Sequence, residues 1–245
     1  MLYPPYVDLV KRIEDIENNT GAGDETLRGS LRVACVVDVG ISEIAPAVSR
    51  FVSANPELSV ELVLDTQAVN PIDGGFDVAI HFREVHARNI MNRQLMAMEN
   101  GYFASPRYVA EHGMPLCPDD LTRHTCITYA FQPVVNPWNT HQWVLEGSDG
   151  QTVVHVSSGM SANNGHVVHQ FALGGHGIAV IPLYRARFDV ARGALLYVLP
   201  GYRPPTLKLS AIYPAAHAAT GKVQRLLDHL DHELKAISAD MSAAV

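Results

Sequence analysis

Cysteine is scarce in this 245-residue chain: Cys35, Cys117 and Cys126 are odd in number and nowhere closely spaced. That excludes a disulfide scaffold and a thiolate-built zinc site, and it fits free, mostly buried thiols in a reducing compartment. Although 47% of residues are apolar, no apolar run is long enough to span a bilayer. Positive charge is short as well, with 18 Lys and Arg against 25 Asp and Glu and a formal net charge of −7. Such a balance offers no electrostatic footprint for nucleic acid. The first residues, Met1 to Lys11, carry prolines at 4 and 5 and an acid at Asp8, and lack the basic region and apolar stretch of a signal peptide. Catalytic signatures are missing too: no Gly-x-Ser-x-Gly elbow, no glycine-rich phosphate loop before a helix, no His-Glu-x-x-His pair.

What is present is alternation. Leu2, Tyr6, Leu9, Val10, Ile13 and Ile16 fall on one face of a helix over 2–19, which Asn18-Asn19-Thr20-Gly21 ends. A polar, glycine-bearing linker covers 22–29. Then come the strand LRVACVV (31–37), a helix over 44–54 ended by Asn55-Pro56, the strand LSVELVL (58–64) and the strand FDVAIHF (76–82). Continuous apolar strands alternating with helices argue for a mostly parallel sheet covered on both faces.

The stretch Tyr102 to Ile127 changes the theme. An apolar strand turns at Ser105-Pro106, enters a short helix over 108–112, breaks at Gly113-Met114-Pro115 and turns again at Asp119-Asp120. THQWVLE (140–146) and TVVHVSS (152–158) flank Gly147-Ser148-Asp149-Gly150 and predict an antiparallel hairpin. Asn163-Asn164-Gly165 opens a helix, GIAVIP (177–182) is a buried strand, strands follow at 195–199 and 207–213, and a helix closes the chain over 223–237. Pro204-Pro205 mirrors Ser105-Pro106. Two such crossings predict two lobes, the first discontinuous in sequence, with a ligand cleft where strand ends and helix N-termini converge.

These blocks resemble, in order, the effector-binding domain of LysR-type transcriptional regulators. LRGSLRVACVVDVGISEIAPAVSRFVSANPELSVELVL is similar to that family's opening βαβ unit, FDVAIHF to its third strand, and ALGGHGIAVIP to its late helix, glycine turn and strand. The likeness runs from about Gly29 to Leu230. It implies an α/β fold of the two-lobed, type 2 periplasmic-binding-protein-like kind, with mixed, mostly parallel sheets and two crossover strands. Residues 1–28 would be the remnant of a linker helix and linker, 29–105 plus 204–240 lobe I, and 106–203 lobe II. The expected function is sensing of a small-molecule effector of unspecified identity in a cytoplasmic regulator. DNA would be touched only through an N-terminal winged helix-turn-helix absent from this chain, and the domain would form homodimers or homotetramers. The apolar face of helix 2–19, alone and uncovered, points to self-association independently. No cofactor, metal, membrane contact or catalysis is expected. A transporter's solute-binding protein and an enzyme on the same fold, such as a prephenate-type dehydratase, are the alternatives.

Candidate ligand-binding residues follow from strand ends and one helix start. Val37 ends the first strand and Asp38 follows it, where the chain turns into a helix; Asp38 either favours a cationic or hydroxylated ligand or serves as an N-cap or surface acid. Thr66 and Gln67 end the second strand, and His81 and Phe82 the third. The family commonly carries Arg where His81 stands, so a permanent cation is lost; His81 would titrate near neutrality or be simply hydrogen-bonded. Phe103 and Ser105 are expected at the cleft floor, and Thr128, Tyr129 and Ile181 on the second wall. Asn163 is expected as N-cap of a helix over 164–174. Phe131, Trp138 and Trp143 add aromatic surface, with Trp143 expected in the core. His166, His169 and His176 lie close in sequence, and His229 and His232 share a helix face, but without supporting ligands they read as surface or capping histidines.

Overall fold

The computed structural model describes residues 26–65, 71–130 and 142–242. The expected helix 2–19, Thr66, Gln67, Phe131 and Trp138 lie outside the described residues. In chain order the elements are β1 (Gly29–Cys35), α1 (Val37–Val39), a π-helical turn (Gly40–Ile44), α2 (Ala45–Ala54), β2 (Leu58–Leu64), α3 (Pro71–Gly74), β3 (Val78–His81), β4 (Ile90–Met98) and β5 (Asn100–Ala104). Then follow α4 (Pro106–His112), a 3-10 turn (Pro118–Arg123), β6 (Thr125–Tyr129), β7 (Gln142–Gly147), β8 (Gly150–His155) and β9 (Ser157–Ala162). The chain ends with α5 (Gly165–Leu173), β10 (Ile178–Pro182), α6 (Leu183–Ala191), β11 (Leu196–Val198), β12 (Leu207–Pro214), a 3-10 turn (Ala215–Ala219) and α7 (Gly221–Ser242). No helix among the described residues is long and apolar enough to cross a membrane.

The described residues divide into two compact units, one made of those within 1–96 and 209–236, the other of those within 97–208 and 237–245. The changeovers therefore fall at Met96/Ala97 and Lys208/Leu209, not at Ser105-Pro106 and Pro204-Pro205. The reason is strand pairing: β5 is flanked by β10 and β11, both of the second unit. Ser105 instead caps α4, its Oγ accepting from the Tyr108 N–H at 3.2 Å, with Pro106 in the first turn, where a missing N–H costs nothing.

In the first unit a five-stranded sheet has the order β2-β1-β3-β12-β4. β1 runs parallel to β2 and β3, while β12 returns antiparallel to β3. The helical stretch after β1 is continuous in backbone conformation but wound wide at its centre, where the Ala45 N–H bonds the Gly40 carbonyl five residues back. Pro46 lies one residue further and has no N–H for the regular ladder, which accounts for the wide turn. Gly40 lets the exposed Leu64 side chain lie close over the helix, where an added Cβ would push its methyl aside. α7 binds α2 through Arg50–Glu233 at 2.6 Å and through His229, whose Nε2 meets the Ala47 carbonyl at 2.9 Å while its ring packs on Phe51. His229 is thus a tie between helices rather than a solvated side chain.

In the second unit the sheet order is β11-β5-β10-β6-β9. It too is mixed: β10 is antiparallel to β5 but parallel to β6, and β6 is parallel to β9. The two-residue period of the strands sorts side chains into separate cores. Tyr102, Cys126, Ile178 and Val180 pack with Tyr108, Leu121, Trp143 and Leu145, and Trp143 stacks on Tyr102 at 5.6 Å. Phe103, Ile127, Ala179 and Ile181 pack with Val168 and Ala172 of α5, Ala186 of α6 and Leu195. The hairpin pairs Gly147 with Gly150, leaving Ser148-Asp149 as its loop, and Gly150 takes a φ of 108°. Its second strand stops at His155, and the chain resumes as β9 beside β6 instead of running through Ser158.

The cap of α5 is Asn164, not Asn163. The Asn164 carbonyl oxygen accepts from the His166 and Val167 N–H groups at 3.0 and 3.2 Å, whereas Asn163 is exposed and precedes the cap. Asn164→Ala is expected to lower stability by about 1 kcal/mol in urea titration, with Asn163→Ala close to neutral. Equal losses would contradict this assignment. His169 on α5 is buried rather than capping, with Nε2 at 2.7 Å from a carboxylate oxygen of Asp189 on α6.

Candidate functional site

The C-terminal strand ends of the first unit hold the most distinctive polar group. β1 ends at Cys35, and the Val36 N–H continues the ladder to the Ile80 carbonyl at 3.1 Å. The Asp65 N–H bonds the Cys35 carbonyl at 3.0 Å, so the ends of β1, β2 and β3 stay in line. Cys35, Val36, Asp65, Ile80 and His81 line a small hollow there, together with Ala34 and Ala79. The chain then enters α1, with Val37 and Asp38 half-buried in the first turn. The cap residue is Val36, so Asp38 is not the N-cap; the Ser42 hydroxyl donates to its backbone carbonyl at 2.8 Å. Phe82, just beyond β3, is also half-buried.

His81 is only 5% exposed. Its Nδ1 accepts the Arg83 N–H at 3.0 Å, which places the ring proton on Nε2. Nε2 is buried and has no hydrogen-bond partner among the described residues. Burial, aided by the Arg83 cation, lowers the His81 pKa to about 4. His81 therefore does not titrate near neutrality: at pH 7 it is a neutral imidazole offering one N–H. Burial also pushes the Cys35 thiol far up, so it adds no charge to the hollow.

The second-unit candidates are placed differently. Phe103 and Ile181 are core residues, 2% and 1% exposed, with Phe103 edge-on to Tyr197 at 5.3 Å. Ser105 is occupied as the cap of α4. Thr128 is buried with its hydroxyl 2.8 Å from that of Ser158. Tyr129 is half-buried at the end of β6, and Asn163 is exposed. The structure thus gathers Val37, Asp38, His81 and Phe82 at the strand ends of one unit, while Phe103, Ser105, Thr128, Tyr129, Asn163 and Ile181 belong to the other. Among the described residues no group of three or more His, Cys, Asp or Glu is placed to hold a metal ion.

Beside His81 lies a buried polar residue that carries no mark in the sequence. Ser210 of β12 lies directly opposite His81 in the β3–β12 register, is 1% exposed, and its hydroxyl has no partner among the described residues. A serine inside LKLSAIYP carries no signal beyond strand alternation.

Over residues 24–235 the chain matches the family described as LysR substrate binding domain. It belongs to that family. The transcriptional regulator DmlR of Escherichia coli is 29% identical over 203 residues, covering 83% of this chain and 64% of the regulator. The chain therefore spans just under two thirds of that relative's length. The regulatory domain of CrgA, a LysR-type transcriptional regulator from Neisseria meningitidis, superposes with a TM-score of 0.73 at 24% identity, covering 85% of this chain and all of that domain. Full-length AphB, a virulence activator of Vibrio cholerae, gives a TM-score of 0.72 at 19% identity, covering 92% of this chain and 75% of AphB. At such identities the structural likeness speaks for the fold alone: a two-lobed, type 2 periplasmic-binding-protein-like domain with mixed sheets. DmlR is named as a transcriptional regulator.

Proposed function

We propose that this LysR substrate-binding domain is the sensor of a cytoplasmic transcriptional regulator, binding a small-molecule effector at the strand ends that carry Val37, Asp38, His81 and Phe82. The observation behind this reading is His81, a buried neutral donor with no partner among the described residues, at the carboxyl end of a parallel strand. Ligands of open α/β sheets collect at that end of the strands. Thr66, Gln67, Tyr129 and Asn163 stay as further candidates, and Phe103, Ser105, Thr128 and Ile181 act by holding the second unit's strands in shape. Effector binding favours one conformation of the domain and of its homodimer or homotetramer, and that preference is passed to a DNA-binding segment of the whole regulator.

A thermal-shift screen against metabolites grouped as carboxylates, amines, neutral aromatics and nucleotides tests this. One class is expected to stabilise the domain saturably, by roughly 5–10 °C at a hundredfold excess over its dissociation constant. The shift should be lost in His81→Phe. Absence of a saturable shift from every class sinks the reading.

A further inference from the structure

His81 and Ser210 are cross-strand neighbours on the same face of the sheet. Ala79 and Ile212 are the preceding pair on that face, where they cluster with Ala34 and Ile90 and with the half-buried Phe76 and Val85. An otherwise apolar face therefore ends in two polar side chains, each more than nine-tenths buried. Neither His81 Nε2 nor Ser210 Oγ has a hydrogen-bond partner among the described residues. Leaving one such group unpaired costs about 1–3 kcal/mol, and here two lie side by side. Two adjacent unpaired groups are what a site built for a guest looks like.

We propose that His81 and Ser210 form a two-point subsite for an uncharged oxygen-bearing group of the effector: an amide, ketone or alcohol, not a carboxylate. This rests on the effector-sensing reading and adds the chemistry of the ligand. The Arg83 N–H occupies Nδ1, so His81 presents Nε2–H as a donor, and Ser210 presents a hydroxyl that donates or accepts. A neutral oxygen accepts from both; an amide or alcohol also returns a proton to Oγ. A carboxylate would lose its hydration to two neutral donors, with Asp65, an acid, among the residues lining the same hollow as His81. The Arg83 side chain is exposed and acts on His81 only through the field it adds.

The test uses the whole chain labelled with nitrogen-15 and follows the His81 ring by long-range proton–nitrogen NMR. Acetamide, acetate and methylammonium serve as neutral, anionic and cationic probes of one size. Acetamide is expected to move the Nε2 resonance saturably, with acetate and methylammonium leaving it in place. Ser210→Ala should weaken acetamide about tenfold, the loss of one hydrogen bond, and Ser210→Thr should restore it. The alanine variant removes a single hydroxyl, and its melting temperature reports whether the fold survives. A response to acetate instead of acetamide overturns the proposal, as does an acetamide response unchanged in Ser210→Ala. Silence of the ring to all three probes, with an undisplaced water at Nε2, also overturns it, because the pair then holds a water only. The broader reading fails separately. A metabolite that still stabilises Ser210→Ala undiminished would leave effector sensing standing and remove this subsite. A ring that responds to acetamide in a domain that no metabolite stabilises would do the reverse.

Discussion

Gly177→Ala is expected to destabilise the second unit by about 2–5 kcal/mol, the sum of overpacking and glycine-only backbone strain. Gly177 has a φ of 152°, and a Cβ built there would lie 2.5 Å from the Thr125 carbonyl oxygen. That neighbour is backbone, so no rotamer relieves the clash; β6 and β10 must separate. They are central strands of the sheet, joined in parallel through Ile178–Cys126 and Ala179–Ile127, and both apolar cores of the unit rest on them. Gly113 is the control: its φ is 87°, but nothing lies within 4 Å of an added Cβ. Gly113→Ala should cost about 1–2 kcal/mol, the strain alone. Urea titration of both variants is the measurement, read as a lower midpoint at an unchanged slope. Equal midpoints for the two would mean that β6 and β10 are not packed as tightly as described.

Much of the fold was legible because burial imposes period. β2 occupies the residues that its apolar pattern marked, Leu58–Leu64, and the turn glycines marked the hairpin. β4 was not read, because Asn92 and Arg93 interrupt its apolar run. Asn92 is there to bond the Val85 backbone in both directions, and Arg93 to reach Asp228 on α7. α6 was missed for a similar reason: Asp189 sits buried in the middle of it, a residue that makes sense only opposite His169 and Arg192. The one-residue shift of the α5 cap has a different cause. Two adjacent asparagines look equivalent until the backbone turns extended at Asn164, with φ −135° and ψ 127°, and aims its side chain at the helix.

The site divides along the same line. His81 stood out as a departure from the arginine usual at that point of the family, a difference visible in one short strand. Its neutral state was not legible, since it depends on burial by residues far along the chain, β12 among them. Ser210 could not be found at all without the β3–β12 register. A polar pair made by two distant strands leaves no motif.

Acid should unfold this domain earlier than its carboxylates alone would require. His81, His124 and His169 all have pKa values lowered by burial, His81 to about 4. For His169 the Asp189 carboxylate works in the opposite direction and does not prevail; for His124 the neighbouring His112 reinforces burial. A histidine with a lowered folded pKa takes its proton more readily in the unfolded chain, where the value is about 6.5. Each such group gives its full stabilisation above pH 6.5 and loses it as the pH falls toward its folded pKa. For His81 the whole loss, reached near pH 4, is about 3 kcal/mol. Asp120 and Glu233, lowered by hydrogen bonds to backbone N–H groups and to Arg50 respectively, add to the decline only below the ordinary carboxylate range. Unfolding free energy measured by urea titration from pH 7.5 to pH 4 should therefore fall steadily from about pH 6.5 downward. His81→Phe removes one titrating group, so its curve should be flatter over that window by the His81 share, even if the variant is less stable at neutral pH. Parallel curves for the two proteins would show that His81 carries its proton equally in both states, and the buried neutral donor at the strand ends would have to be given up.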